Sequence, residues 1–459
     1  MKKALSFLVA FLIIVLSLTP ILASAKDLNN GEGMFEVSVP IEADAYMLVC
    51  LDDDNVLAQK NKDKVKYPAS LTKIVTAMVT IENVKDLDKT VTVSEHAVSV
   101  LEGTDAQVAG LAAGEKVTYS KLLSLTMVHS ACDACQVLAE AVGGDEAGFV
   151  KMMNDWAKKC GCKNTHFVNP DGLHDDNHYT TASDMYLITR AALKNSTFVQ
   201  VSTAKSVDYN GVEFVHTNYM LHPANGSYYY KYAQGIKTGT TTQAGNCVIT
   251  KADKGGKNYL AVVLDSPTIN EMKGSFVDAK ALFEWGYNDL KEKVIFTSNE
   301  AVSYTNVLYG RDCDKLNLCV NSDLVALVPT DAKQKDFKVK LSGVSGTIEA
   351  PIEKGETICK AQILYKGKVV AVTTLVAAED VKLDVIAKTG AVINAGFSKR
   401  PFLNVLCLIV VFALLIFVIR VIRVSKMKKK QAAAYRAKRR ERIAKENRET
   451  GDSNDYFNL

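Results

Sequence analysis

The chain has 459 residues, and its 55 Lys and Arg against 51 Asp and Glu give a formal net charge of only +4. The exported part of such a chain is too long for one compact core, which indicates two domains. From Arg420 onward there are 13 basic and 5 acidic residues, whereas residues 26–419 carry 40 basic and 46 acidic residues. Because the excess of positive charge belongs to one tail, it does not indicate nucleic-acid binding.

The first 25 residues have the pattern of a secretory signal peptide. Lys2 and Lys3 precede the apolar run 7–18, and Ala25 ends a small-residue cleavage site. We therefore expect cleavage after Ala25 and export of the chain that follows. A retained membrane helix is less favoured, because the apolar run is short and is followed by Pro20.

Residues 26–292 are predicted to form a mixed α/β catalytic domain. The patterns along this region predict a hairpin at 45–59, helices at 70–84, 119–142, 146–159, 182–193 and 277–288, and strands at 237–241, 246–250 and 259–264. Such a mixture is typical of an antiparallel sheet with helices packed against it.

Three further parts are predicted after the catalytic domain. Residues 293–390 contain short alternating segments that indicate a small all-β domain, interpreted as a spacer or docking module. Residues 401–422 predict a transmembrane helix, since the stretch 402–419 is uncharged and almost wholly apolar. The basic tail, 423–459, is then expected in the cytoplasm against anionic lipid headgroups, with the catalytic domain on the other side of the membrane.

Nine of the ten cysteines lie outside the predicted membrane span, so at least one is unpaired within a monomer. Cys313 and Cys319 flank a predicted turn and are candidates for a local disulfide. The C-x-x-C pair at 132–135 and the C-G-C pair at 160–162 supply four thiols for a zinc site on paper. Zinc ligands usually come from loop knuckles, so we expect no metal here.

The first two of three candidate catalytic motifs are Ser70-Leu-Thr-Lys73 and Ser130-Ala-Cys132. Residues three apart share a helix face, so Lys73 can act as the base for the nucleophile Ser70. Ser130 is predicted to lie in a helix and to carry a proton to the leaving amine. Taken alone, each serine also fits a structural position, on a solvated helix face or bonded to its own backbone.

The third motif is Lys237-Thr-Gly239 on a predicted strand. Lys237 supplies a positive charge, and Thr238 and Thr240 supply hydroxyls, for a substrate carboxylate. Gly239 allows the backbone to approach the nucleophile closely. The backbone N–H groups of Ser70 and Thr240 would form an oxyanion hole. Three such motifs in this order indicate an acyl-transferring serine enzyme.

The motif set resembles the S-x-x-K, S-x-N and K-T-G motifs of low-molecular-mass penicillin-binding proteins, the serine-type D-Ala-D-Ala carboxypeptidases. The resemblance covers residues 35–385 and includes the segments Tyr67–Ile74, Phe167–Leu173, Thr180–Asp184, Gly235–Gly245 and Ala350–Gly355. It implies a β-lactamase/transpeptidase-like catalytic domain. It also implies that Ser70 is acylated by peptidoglycan stem peptides, that terminal D-alanine leaves, and that β-lactams acylate the same serine. No cofactor is implied.

Cys132 departs from the family pattern, which has asparagine at this position. A thiol cannot replace the paired hydrogen bonds of an amide, so we expect a working enzyme with altered preference or rate. One alternative is a DD-transpeptidase, in which an amine replaces water, and another is a non-catalytic penicillin-binding sensor or wall-binding module. A class A β-lactamase is disfavoured, because no glutamate occurs between Glu146 and Glu213 to activate water.

Overall fold

The computed structural model describes residues 35–343, 346–399 and 401–450, so the predicted signal peptide at 1–25 lies outside the described residues. The described chain divides into two compact units. The first unit comprises residues 35–304, 317–343 and 355–378, and the second comprises residues 305–316, 346–354, 379–399 and 401–450.

The strands in chain order are β1 (Ala45–Cys50), β2 (Val56–Lys60), β3 (Thr90–Thr92), β4 (Lys116–Thr118), β5 (Ser206–Tyr209), β6 (Val212–Val215), β7 (Ala233–Thr241), β8 (Gly245–Lys254), β9 (Lys257–Ser266), β10 (Thr268–Ile269), β11 (Met272–Lys273), β12 (Leu290–Phe296), β13 (Ala301–Leu308), β14 (Lys315–Val320), β15 (Leu324–Pro329), β16 (Phe337–Ser342), β17 (Thr347–Glu349), β18 (Thr357–Tyr365) and β19 (Lys368–Ala377).

The α-helices are α1 (Lys73–Asn83), α2 (Glu95–Ser99), α3 (Tyr119–Ser124), α4 (Cys132–Gly143), α5 (Glu146–Lys159), α6 (Ala182–Ala192), α7 (Ser196–Thr203), α8 (Gly274–Asp289), α9 (Val385–Lys399) and α10 (Pro401–Thr450). Short 3₁₀ segments cover Ala69–Thr72, Tyr219–Leu221, Pro223–Tyr228 and Gln334–Asp336, and a π-helical turn covers Leu125–His129. Several helices begin at a side chain that accepts a backbone N–H, namely Ser94, Thr118, Asp145, Thr181 and Asn195.

The main sheet of the first unit is antiparallel, with the strand order β2-β1-β9-β8-β7. This arrangement confirms the predicted antiparallel sheet and its hairpins. Helix α1 lies in the core, since every residue from Lys73 to Thr80 is buried, and α4, α5 and α6 pack against it. Strand β7, which carries the third motif, is at an edge of the sheet.

A second antiparallel sheet of the first unit joins β16, β18, β19 and β14 in that order, and β12 pairs with β15. Strands β16 and β18 lie within 293–390, where short alternating segments predict β structure. In the second unit, the end of β13 pairs in parallel with β17, through Asn306 opposite Thr347.

One helix among the described residues is long and apolar enough to cross a membrane. It is the part of α10 from Val405 to Glu446, whose most apolar stretch has a mean hydropathy of 3.3. Its apolar side chains are exposed, as Leu408 and Phe417 illustrate. This helix is consistent with the C-terminal membrane anchor that the sequence predicts.

All ten cysteines lie in the described residues and are free, so the predicted disulfide between Cys313 and Cys319 is wrong. The Cys313 thiol donates to the Lys315 carbonyl at 3.0 Å. Cys319 is buried in β14, where its thiol lies 3.8 Å from the Val376 carbonyl of β19. Each of the two thiols therefore lies near a different backbone carbonyl.

Candidate active site

Ser70 and Lys73 lie where the 3₁₀ segment Ala69–Thr72 passes into α1. Lys73 is fully buried, and its Nζ atom donates to Ser70 Oγ at 2.9 Å and to the carbonyl of Asp171 at 2.6 Å. The same amine lies 3.4 Å from Cys132 Sγ. Ser70 is only partly buried, so its hydroxyl contacts the lysine and still remains accessible.

Two glycines allow neighbouring segments to pack tightly against the serine. A Cβ atom on Gly239 of β7 would lie 2.8 Å from the Pro68 carbonyl oxygen and 3.1 Å from the Ser70 nitrogen. A Cβ atom on Gly172, which has a φ of +83°, would overlap the Ala69 carbonyl oxygen. Because neither space admits a side chain, the serine turn is fixed between β7 and the loop at 172.

Ser130 does not lie inside a helix, so the prediction of one helix over 119–142 is wrong. Helix α3 ends at Ser124, the π-helical turn follows, and Ser130 has left-handed backbone angles (φ 66°, ψ 32°) before α4 begins at Cys132. The apolar run continues through this break, which is why the sequence pattern missed it. Ser130 is buried, and left-handed non-glycine residues of this kind cluster at functional sites.

Cys132 is the first residue of α4 and is 4% exposed. Its backbone N–H donates to the Gln107 carbonyl at 2.7 Å, while its thiol faces Lys73. Burial raises the pKa of this thiol, although the positive charge of Lys73 opposes the effect. The Cys132 side chain is therefore a neutral thiol at neutral pH, in direct contact with the buried amine.

Strand β7 carries the residues predicted to bind the substrate. Lys237 is fully buried, and its Nζ donates to the Thr238 carbonyl at 3.1 Å. Thr238 Oγ1 donates to Thr217 Oγ1 at 2.7 Å, whereas Thr240 is exposed at the end of the strand. The backbone of an edge strand can pair with an extended peptide, so β7 is suited to hold one.

The two buried lysines differ in their electrostatic environment. Burial, followed by the positive charge of Lys73, lowers the pKa of Lys237 well below its ordinary value. Burial also lowers the pKa of Lys73, but Cys132, Cys135 and Asp171 in their ionised forms raise it by more. Burial raises the pKa of both thiols, which reduces their share in raising the pKa of Lys73.

Asp171 contacts the lysine, but the sequence reasoning gave it no role. Its carboxylate is 1% exposed and accepts from Gln136 Nε2 at 3.0 Å and from the Leu173 N–H at 2.9 Å. These bonds fix the loop whose carbonyl accepts from Lys73. The Pro-Asp-Gly turn signal at 170–172 marks this loop in the sequence, but not its distance from Ser70.

Asp133 and Thr217 were also missed. The buried Asp133 carboxylate accepts the N–H groups of Ala109, Gly110 and Leu111 at 2.9–3.0 Å, which holds that segment beside the start of α4. Thr217 bonds Thr238, and its N–H donates to the Val128 carbonyl at 3.1 Å. Both residues connect segments that are distant in sequence, so no local pattern indicates them.

Comparison with known proteins gives consistent likenesses. A family model described as D-alanyl-D-alanine carboxypeptidase matches residues 34–268, and one described as penicillin-binding protein 5, C-terminal domain, matches residues 291–383. The chain is 30% identical to D-alanyl-D-alanine carboxypeptidase DacF of Bacillus subtilis over 393 residues, which cover 83% of this chain and 95% of DacF.

Solved structures show similar folds. Penicillin-binding protein 5 from Haemophilus influenzae is 28% identical, with a TM-score of 0.57 over 76% of this chain and 100% of that one. A variant of the Streptomyces K15 DD-transpeptidase in which asparagine replaces a cysteine is 29% identical. Its TM-score is 0.50, over 55% of this chain and 99% of that one.

Proposed function

Because the chain belongs to the D-alanyl-D-alanine carboxypeptidase family, we propose that it removes the terminal D-alanine of peptidoglycan stem peptides through an acyl-enzyme formed on Ser70. The family relation also confirms the predicted fold class, a penicillin-binding, transpeptidase-like α/β domain followed by a β-rich C-terminal domain. The single observation that carries the site assignment is the 2.9 Å hydrogen bond between Lys73 Nζ and Ser70 Oγ.

In the acylation step, Lys73 in its neutral form takes the hydroxyl proton as Ser70 Oγ attacks the penultimate D-alanine carbonyl. The short bond to the Asp171 carbonyl orients the amine toward the hydroxyl. The backbone N–H groups of Ser70 and Thr240 bind the oxyanion, and each such donor typically supplies ~3 kcal/mol to the transition state.

The leaving D-alanine carries the carboxylate that defines this substrate class. Lys237, Thr238 and Thr240 on the edge strand bind this carboxylate, and the extended stem peptide pairs alongside β7. The Ser130 hydroxyl passes the proton to the departing amine, after which water releases the peptide from Ser70. A β-lactam acylates the same serine and stays there, which is the basis of the expected penicillin sensitivity.

A DD-transpeptidase is the second candidate, in which an amine attacks the acyl-enzyme in place of water. It is favoured by Cys132, since a thiol at this position interacts with Lys73 differently from the asparagine of the S-x-N motif. The likeness to the Streptomyces K15 DD-transpeptidase supports the same candidate.

The proposed location follows from the anchor and the two ends of the chain. We place the catalytic domain on the outer face of the membrane, after removal of residues 1–25 as a signal peptide. The basic tail 423–459 then lies in the cytoplasm against anionic lipids, as the positive-inside rule requires. This location brings the site to the peptidoglycan layer.

The test uses the full-length protein in detergent and a pentapeptide that ends in D-Ala-D-Ala. We expect release of D-alanine that Ser70→Ala abolishes and that Ser99→Ala, an exposed serine, leaves unchanged. Addition of glycine as an amine acceptor measures the share of transfer. If penicillin acylates Ser70 but no D-alanine is released, the protein is a penicillin-binding sensor and the carboxypeptidase proposal is overturned.

A further inference from the structure

Two free thiols lie three residues apart at the N-terminal end of α4, immediately after Ser130. Cys132 is the first residue of the helix, and Cys135 lies one turn later. Residues at this helical spacing have Cβ atoms about 5–6 Å apart, whereas a disulfide needs Cβ atoms roughly 3.5–4.5 Å apart, so the first turn of α4 must tighten by about 1–2 Å to join them. Redox-active pairs use this same C-x-x-C arrangement.

The two thiols have different surroundings. The Cys135 thiol is completely buried and donates to the Ala131 carbonyl at 3.1 Å, with Thr126 Oγ1 at 3.8 Å. Cys132 retains slight exposure and contacts Lys73. An oxidant that enters from the Ser70 side therefore meets Cys132 first, and Cys135 is in position to react second.

We propose that Cys132 and Cys135 form a reversible disulfide that slows acylation of Ser70, an inference that rests on the proposed function. The oxidant is a low-molecular-weight disulfide. Lys73 Nζ, 3.4 Å from the Cys132 sulfur, takes the thiol proton as this sulfur attacks the oxidant. The proton passes to the thiol that leaves, and a mixed disulfide forms on Cys132. Cys135 then attacks the Cys132 sulfur, and the second thiol leaves with the Cys135 proton. The protein loses two electrons and two protons, which the oxidant gains as two thiols.

The disulfide acts on the reaction through Lys73. When the Cys132 sulfur turns into the core toward Cys135, the amine loses one of its three contacts and keeps those to Ser70 and Asp171. The first turn of α4, directly after Ser130, is constrained at the same time. The loss of one hydrogen bond to the general base predicts acylation about tenfold slower in the oxidised protein.

The experiment incubates the full-length protein in detergent with hydroxyethyl disulfide, then follows acylation by a fluorescent penicillin and maps thiols by peptide mass analysis. We expect wild-type protein to show a Cys132–Cys135 link without an adduct, and its slower acylation to return to the original rate after reduction. In Cys135→Ala the second step is impossible, so the hydroxyethyl adduct accumulates on Cys132. Cys160→Ala, which removes a thiol outside the site, should behave as wild type.

Three results would overturn the proposal. Both thiols of the wild-type protein could stay unmodified, or the hydroxyethyl adduct could persist on Cys132 of the wild-type protein. The third is an unchanged rate of acylation after the Cys132–Cys135 disulfide has formed completely. Mapping of the disulfide by mass analysis does not depend on activity and uses wild-type protein. It therefore shows whether Cys132 and Cys135 are linked even if Cys135→Ala fails to fold. Absence of acylation in the reduced protein would instead contradict the proposed function.

Discussion

Cys132 Sγ lies 3.4 Å from Lys73 Nζ, so the third residue of the Ser130-Ala-Cys132 motif contacts the proposed general base directly. The lysine is enclosed by a thiol, a hydroxyl and a backbone carbonyl. The thiol is the weakest acceptor of the three, because sulfur hydrogen-bonds poorly. The identity of this one residue therefore affects the position and the charge of the amine.

Cys132→Asn is expected to accelerate D-alanine release by up to about tenfold, because an amide oxygen accepts a stronger bond from Lys73 and its N–H₂ group can donate to the peptide. The share of transfer to glycine should fall in parallel. Both are measured with the pentapeptide assay, with Cys162→Asn, outside the site, as the control. Equal rates and equal transfer in Cys132→Asn and wild type would show that the position is permissive.

Gly239→Ala is expected to slow acylation about hundredfold, the effect of displacing a reacting group by roughly 1 Å. A new Cβ would lie 2.8 Å from the Pro68 carbonyl oxygen and push β7 away from the serine turn. Stopped-flow acylation by a fluorescent penicillin measures the effect. Gly390→Ala is the control, since its Cβ would have open space around it. Unchanged acylation in Gly239→Ala would mean that the serine turn can shift to accommodate the added methyl group without loss of activity.

The elements that the sequence predicts well are those with a strong local period. Helix α5 begins and ends as predicted at 146 and 159, and β8 and β9 contain the strands predicted at 246–250 and 259–264. The failure at 119–142 has a physical cause. No glycine or proline marks the left-handed Ser130, and tertiary contacts such as the Cys132 N–H to Gln107 bond fix the break.

The candidate site is predictable only in part for a related reason. Motif spacing identifies side chains that share one helix or strand, such as Ser70 and Lys73. It does not show which distant loop completes the site. The Asp171 carbonyl and the Thr217 hydroxyl reach Lys73 and Thr238 through long-range packing, which no local pattern indicates.

We expect Lys237 to bind a substrate carboxylate less tightly as the pH rises. The loss of affinity should begin below the ordinary lysine pKa of about 10.4. The pKa of Lys237 is lowered well below this value by burial and by Lys73, and a bound carboxylate raises it again. Binding therefore takes up a proton, and affinity falls as the pH rises through the lowered pKa. Calorimetry of acetyl-D-Ala-D-Ala binding to Ser70→Ala in buffers of different ionisation enthalpy measures this uptake. A pH-independent affinity would contradict it.

Burial lowers the pKa of His178 to about 3, and this histidine supports the serine turn. Its Nε2 atom lies 2.8 Å from Thr72 Oγ1, and Nδ1 accepts from the Val168 N–H at 3.3 Å, which a protonated ring cannot do. The unfolded chain binds a proton below about pH 6.5 and the folded one does not, so stability is present above that pH and is lost as the pH falls.

The free energy of unfolding should drop by about 2 kcal/mol for this histidine between pH 7.5 and about pH 5. Urea unfolding followed by tryptophan fluorescence measures the drop, since Trp156 and Trp285 both lie in the first unit. His178→Gln, which lacks the titrating ring, should lower stability at neutral pH and flatten the pH dependence. An equal slope in His178→Gln and wild type would mean that other groups carry the acid sensitivity.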